Sequence, residues 1–65
     1  MRIVLNGEAC QVTKRTIDKI LIEQGYDSDA IATALNGTFV HKHERSSTEL
    51  HEGDRLEIVA PIQGG

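Results

Sequence analysis

The dipeptide Asn-Gly occurs twice, at Asn6-Gly7 and Asn36-Gly37, and no other feature limits the fold so tightly. A two-residue hairpin turn of type I′ needs positive φ at both central residues, and Asn followed by Gly satisfies this most readily. Before the first turn, Ile3 and Leu5 alternate with Arg2 and Val4; after it, Cys10 and Val12 alternate with Ala9 and Gln11. Met1–Leu5 and Glu8–Thr13 are therefore expected to be the two arms of a hairpin. Before the second turn, Ile31, Thr33 and Leu35 alternate with Ala30, Ala32 and Ala34, and Thr38–His41 returns after it. The inward face of this second pair is ambiguous, because small alanines line either side of a sheet.

Between the hairpins, Ile17, Ile20 and Leu21 fall on one helical stripe. Thr16 suits the N-cap and Asp18 the first turn, where the helix dipole favours negative charge. Gly25 suits the left-handed position that ends a helix, with Tyr26 folding back onto Leu21. A helix is expected at about 16–24, followed by a polar loop over 26–29. Residues 42–48 are polar and irregular, and Leu50 is an isolated apolar residue expected to plug the core from a loop. Glu52-Gly53-Asp54 reads as a turn, and Arg55–Ala60 as the last strand, with Leu56, Ile58 and Ala60 on one side. Pro61 cannot donate to a ladder and ends it. A last strand arriving from the far end fits beside the first, parallel to it. The expectation is an α+β fold, a mixed sheet of four to five strands with one main helix packed across one face: the β-grasp arrangement of ubiquitin. Residues 1–61 form the domain and 62–65 a flexible C-terminal tail.

A chain of 65 residues buries only ~60% of its unfolded surface. One modest core is all it can build, and it has little room for clefts of the ~300 Å³ that enclose small molecules. No nucleophile–base pair or metal motif is apparent, so a carrier, an interaction module or a subunit fragment is expected rather than a self-sufficient enzyme. The single Cys10 excludes an internal disulfide. No signal peptide and no apolar stretch of the ~20 residues that cross a bilayer is visible, so a cytoplasmic protein without membrane contact is expected. A net charge of −3 argues against a nucleic-acid partner and favours a basic protein surface.

The sequence ends in Gly64-Gly65. Glycine leaves the terminal carbonyl unshielded and visits backbone regions closed to other residues, so such an end can thread a narrow channel. Beyond Pro61, four extended residues reach at most ~14 Å, enough to carry Gly65 into a partner's active site. Ile62, Gln63, Gly64 and Gly65 are the candidate residues for that entry, with Gly65 the modified one. His41 and His43 at i, i+2 would share one face of a strand and His51 could join them, but zinc wants three or four ligands with a supporting shell, so solvated surface histidines are expected instead. Cys10 is expected to be a buried, inert thiol. Val4 and Val59 point away from the face carrying Ile3, Leu5, Leu56 and Ile58, and are candidates for a partner-docking surface on the open side of the sheet.

The run Ile3-Val4-Leu5-Asn6-Gly7-Glu8, the helix Thr16–Leu21, Ala34-Leu35-Asn36-Gly37 with Val40, Leu50–Val59 and the final Gly64-Gly65 together resemble the ThiS family of sulfur carriers used in thiamin biosynthesis. The likeness spans nearly the whole chain, in order. It departs at His41–Ser47, which lacks a large aromatic residue, and at Pro61-Ile62-Gln63, which is less apolar than the usual lead into the glycines. The resemblance implies a β-grasp fold and adenylation of Gly65 by a ubiquitin-activating-like adenylyltransferase. That partner uses ATP, while the carrier itself binds no cofactor. A donor such as a cysteine desulfurase or rhodanese-like protein then supplies sulfur to form a thiocarboxylate, and thiazole synthase accepts it. In that family the open sheet face docks the activating enzyme. The same carrier chemistry also serves molybdopterin, cysteine or tRNA thiolation, and adenylated glycine also feeds ubiquitin-like protein modification.

Overall fold

The computed structural model describes residues 1–60. In chain order these form β1 (Arg2–Leu5), β2 (Glu8–Gln11), α1 (Ile17–Glu23), a 3₁₀ turn (Ser28–Ala30), β3 (Ala32–Leu35), β4 (Thr38–Val40), a second 3₁₀ segment (Lys42–Ser47) and β5 (Arg55–Val59). The boundary proposed at Pro61 and the tail Ile62–Gly65 lie outside the described residues.

Both Asn-Gly turns are as expected. Asn6 and Gly7 have φ of 49° and 84°, Asn36 and Gly37 of 51° and 86°, the doubly left-handed pair that matches strand twist. The five strands lie in the order β2-β1-β5-β3-β4. β5 runs parallel to β1, with Leu5 opposite Leu56, and antiparallel to β3, with Thr33 opposite Ile58. The late strand thus sits in the middle of the sheet, which is the ubiquitin-like β-grasp.

The two turns also hold that central strand. Asn6 donates its backbone N–H to Leu56 O (3.0 Å), and its Oδ1 accepts from Ile58 N (2.7 Å). From the other side, Asn36 donates its backbone N–H to Arg55 O (2.8 Å), and its Oδ1 accepts from Arg55 N (2.9 Å). Each asparagine therefore shapes its own hairpin and caps β5 where regular pairing stops.

The helix is one residue shorter at each end than its sequence signals, because Thr16 and Gln24 are its flanking caps. Thr16 occupies the N-cap position, but its hydroxyl donates to Asp18 Oδ1 rather than accepting from the helix. The C-terminus is a Schellman arrangement: Tyr26 N–H reaches Leu21 O, Gly25 N–H reaches Ile22 O, and Gly25 has φ of 83°. Ile17, Ile20 and Leu21 are fully buried against Ile3, Val12, Val40, Leu50, Leu56 and Ile58. Leu50 is the expected plug, held by its N–H on Arg15 O at 2.7 Å.

The segment expected to be irregular is a 3₁₀ helix that carries a buried cation. Arg45 is 3% exposed; its guanidinium donates to Ser28 O (2.8 Å), Ile31 O (2.9 Å) and Thr33 Oγ1 (3.2 Å). Thr33, also buried, passes its own proton to Val40 O. A planar fork with several donors is what can satisfy three acceptors from one position. This network joins the two 3₁₀ segments to β3 and fixes the inward face that the alanines left ambiguous. A second tie comes from Glu23, whose carboxylate accepts from Thr13 Oγ1 and the Thr13 and Lys14 N–H groups. Those hydrogen bonds, led by the Thr13 hydroxyl, hold the Glu23 carboxyl below its ordinary range.

Candidate functional site

Strand register decides what the helix-free face presents. Cross-strand partners share a face, so the pairs Arg2–Gln11, Val4–Ala9, Val4–Arg55, Ala34–Glu57, Ala34–Phe39 and Ala32–Val59 all project away from the core. Phe39 and Val59 are 56% and 62% exposed, large apolar side chains that a small domain would ordinarily bury. With Ala32, Thr33, Ala34 and Glu57 they line a shallow depression of about 200 Å³. The alanines make the hollow and Phe39 forms one wall. It is open and smaller than the ~300 Å³ clefts that enclose small molecules, so it suits an apolar side chain offered by a partner protein.

Beside this hollow, Phe39 meets His41 edge to face, with ring centroids 4.7 Å apart. His41 in turn stacks on His43 at 5.6 Å, the rings inclined by 22°. Near-parallel stacked rings do not converge their nitrogens on one ion, and the His51 imidazole faces Asp54 instead, its Nδ1 3.8 Å from the Oδ2 that accepts the His51 backbone N–H at 2.8 Å. Among the described residues no cluster of three or more His, Cys, Asp or Glu side chains is suited to a metal. Asp54 also accepts from Asn36 Nδ2, and the His51 N–H contributes most to holding its carboxyl below the ordinary value.

Val4 and Val59 both lie on the open face, as expected from their alternation. They do not lie together. Val4 sits opposite Arg55, four residues before Val59, so about 13 Å of strand separates them, with Glu57 between. Arg2, Val4 and Arg55 make a basic end of the face, and Phe39 and Val59 an apolar one. Phe39 was not singled out from the sequence. The signal was present in the two-residue turn, which sets Phe39 across from Ala34; the missing knowledge was which way the alanines faced. Cys10 stands opposite Ile3 on the core side, half-buried against the hydrophobic cluster. Gly65, Gly64, Gln63 and Ile62 lie outside the described residues. β5 ends at Val59, beside Ala32, so the chain leaves the sheet at the rim of the hollow.

No helix among the described residues is long and apolar enough to cross a membrane. Several known proteins share this chain's features. The solved structure of a thiamine biosynthesis protein, ThiS, from Geobacter metallireducens superimposes with a TM-score of 0.84 over the whole of both chains at 20% identity, which establishes the fold. A thiazole synthase of Paramagnetospirillum magneticum is 38% identical over 66 residues; the match takes in all of this chain but spans only 20% of that protein's length. The sulfur carrier protein ThiS of Thermus thermophilus is 34% identical over 61 residues, 94% of this chain and 95% of that one. The sequence model of the ThiS family matches residues 3–65. The chain belongs to the ThiS family of sulfur carrier proteins.

Proposed function

We propose that Gly65 is the group this carrier offers to other enzymes, and that the hollow at Phe39 and Val59 is where the first of them docks. A carboxylate resists nucleophilic attack because oxide is a poor leaving group from an anion. An adenylyltransferase partner, spending ATP in its own site, converts one carboxylate oxygen into part of the AMP leaving group. A persulfide held by a donor protein, a cysteine desulfurase or rhodanese-like protein, then displaces AMP to form an acyl disulfide. A second thiol attacks the donor's cysteine sulfur, leaving a thiocarboxylate at Gly65 and a disulfide on the donor side. This chain contributes no catalytic side chain; it contributes an unshielded carbonyl and a body that positions it.

The observation that carries the reading is the root of the tail. The strand leading to the glycines ends at Val59, at the edge of the exposed apolar hollow. A partner seated there meets the chain where it leaves the sheet, and docking and tail entry become one event. Thiazole synthase is the proposed acceptor of the sulfur. The thiazole synthase relative supports it, because a segment equivalent to this whole chain makes up a fifth of that protein. A carrier and its acceptor joined in one polypeptide meet at high effective concentration.

Mass spectrometry of the protein purified from its own cells tests the chemistry. A mass gain equal to exchanging one oxygen for sulfur, placed at Gly65 by fragmentation, is the expected result. Deletion of Gly65 abolishes that gain and leaves the urea unfolding curve unchanged. Sulfur transfer that persists in the Gly65-deleted chain overturns the proposal, and isopeptide-linked adducts in place of the thiocarboxylate assign the chain to protein modification instead.

A further inference from the structure

Asn6 and Asn36 are the only asparagines in the chain, and both sit in the tripeptide Leu-Asn-Gly. An asparagine followed by glycine is chemically labile, because no side chain on the glycine hinders its backbone nitrogen from attacking the carboxamide. With identical neighbours on both sides, the two positions have matched intrinsic reactivity, and any difference between them comes from the fold. Both are solvent-exposed turn residues with left-handed φ near 50°.

The fold holds them unequally. The Asn36 carboxamide is fixed at both ends: Oδ1 accepts from Arg55 N (2.9 Å), and Nδ2 donates to Asp54 Oδ1 (3.2 Å). The Asn6 carboxamide is fixed at one: Oδ1 accepts from Ile58 N (2.7 Å), and its Nδ2 has no protein partner among the described residues. Ring closure needs the side chain to leave its hydrogen bonds and swing Cγ onto the next backbone nitrogen. The rate therefore follows the population of the released carboxamide, and that population is larger where one hydrogen bond must break than where two must.

We infer that Asn6 is the site at which this chain undergoes spontaneous deamidation, and that the reaction there unhooks the parallel β1–β5 seam. The Gly7 backbone nitrogen attacks Asn6 Cγ; the new C–N bond closes a five-membered imide as the Cγ–Nδ2 bond breaks. The carboxamide nitrogen departs as ammonia, carrying the proton lost by the Gly7 amide. Water then opens the imide at one carbonyl or the other, giving aspartate or isoaspartate. Aspartate keeps a side-chain oxygen for Ile58 N–H. Isoaspartate routes the main chain through the former side chain, adds one carbon to a two-residue loop, and removes the acceptor from Ile58. The strand loses its hold one residue before Val59, where it gives way to the tail.

The test uses the unaltered chain, incubated in mildly alkaline buffer and sampled over time. Trypsin separates the two sites into Ile3–Lys14 and Ile20–Lys42, and mass spectrometry follows replacement of NH₂ by OH in each. Asn6 is expected to convert about fivefold faster than Asn36 in the folded chain, the weight of one additional hydrogen bond of ordinary strength. In denaturing urea the two rates are expected to converge. Equal rates in the folded chain, a faster Asn36, or a difference that survives unfolding each overturns the inference.

Discussion

Truncating Phe39 to alanine separates a docking residue from a core residue. The side chain is 56% exposed on the open face, opposite Ala34, and its ring touches His41 rather than the cluster around Leu21 and Leu56. Full burial of a phenylalanine contributes ~1.5–3 kcal/mol. A little over half of that surface remains in water in the free chain, so covering it on docking contributes about 1–1.5 kcal/mol. That corresponds to roughly a tenfold loss of affinity for the proposed activating enzyme in Phe39→Ala. The folding cost comes only from the part already covered, ~1 kcal/mol or less. Val59→Asp should weaken docking further, because it places a carboxylate in the apolar contact, where ionised groups are costly to desolvate. The assay is the proposed adenylation of Gly65 by an adenylyltransferase of the proposed partner class, with the apparent KM for the carrier measured against a urea unfolding curve for each variant. Docking through the hollow raises KM with kcat nearly unchanged, since the bound tail still reaches the same site. An unaltered KM in both variants, each shown to be folded, refutes the assignment of this face.

Arg45→Met keeps the aliphatic stem and removes the donors that satisfy Ser28 O, Ile31 O and Thr33 Oγ1. Hydrogen bonds from charged donors contribute ~1.5–3 kcal/mol each, and recovered hydration of the guanidinium offsets part of that. A net loss of about 2–4 kcal/mol is expected, read as a lower urea midpoint at unchanged slope. Arg45→Lys keeps the charge and loses the fork; a midpoint equal to wild type would show that charge rather than geometry is what matters there. Acid should weaken the fold as well. Glu23, Asp29 and Asp54 all have carboxyls held below their ordinary values, by Thr13, by Lys42 and by the His51 N–H respectively. A lowered folded-state pKa contributes stability that is complete above the unfolded value and disappears as pH falls through the folded one. The urea midpoint should therefore hold above the ordinary glutamate value of 4.5, begin to fall below it through Glu23, and fall further below the aspartate value of 3.8 through Asp29 and Asp54. Glu23→Gln should flatten that decline; an acid slope identical to wild type would remove Glu23 from the account.

Much of the fold was legible because its strongest local signals agree with its long-range pairing. The Asn-Gly turns set register within each hairpin, the Ile17-Ile20-Leu21 stripe found the core, and Gly25 stopped the helix where the Schellman bonds form. Leu50 was legible as a plug because a lone leucine in a polar stretch has few other uses in so small a domain. The segment 42–47 was not legible. Its order depends on Arg45 reaching carbonyls of residues 28 and 31, which no window around Arg45 contains. A buried arginine with neutral partners looks in sequence like any surface arginine.

The candidate site was half legible for a related reason. Alternation placed Val4 and Val59 on the open face, yet alternation reports only which side of a sheet a residue takes, not how far apart two strands carry their residues along it. The parallel β1–β5 register supplies that distance and separates the valines. Phe39 needed one further fact, the inward direction of Thr33, and that is decided by Arg45 donating to the Thr33 hydroxyl beneath the sheet. Turning Thr33 inward turns Ala32 and Ala34 outward, and their small side chains leave the hollow that Phe39 and Val59 border. The polar network on the covered side thus shapes the apolar surface on the open side. Arg45→Met should for this reason disturb docking as well as stability, whereas Phe39→Ala should disturb docking almost alone.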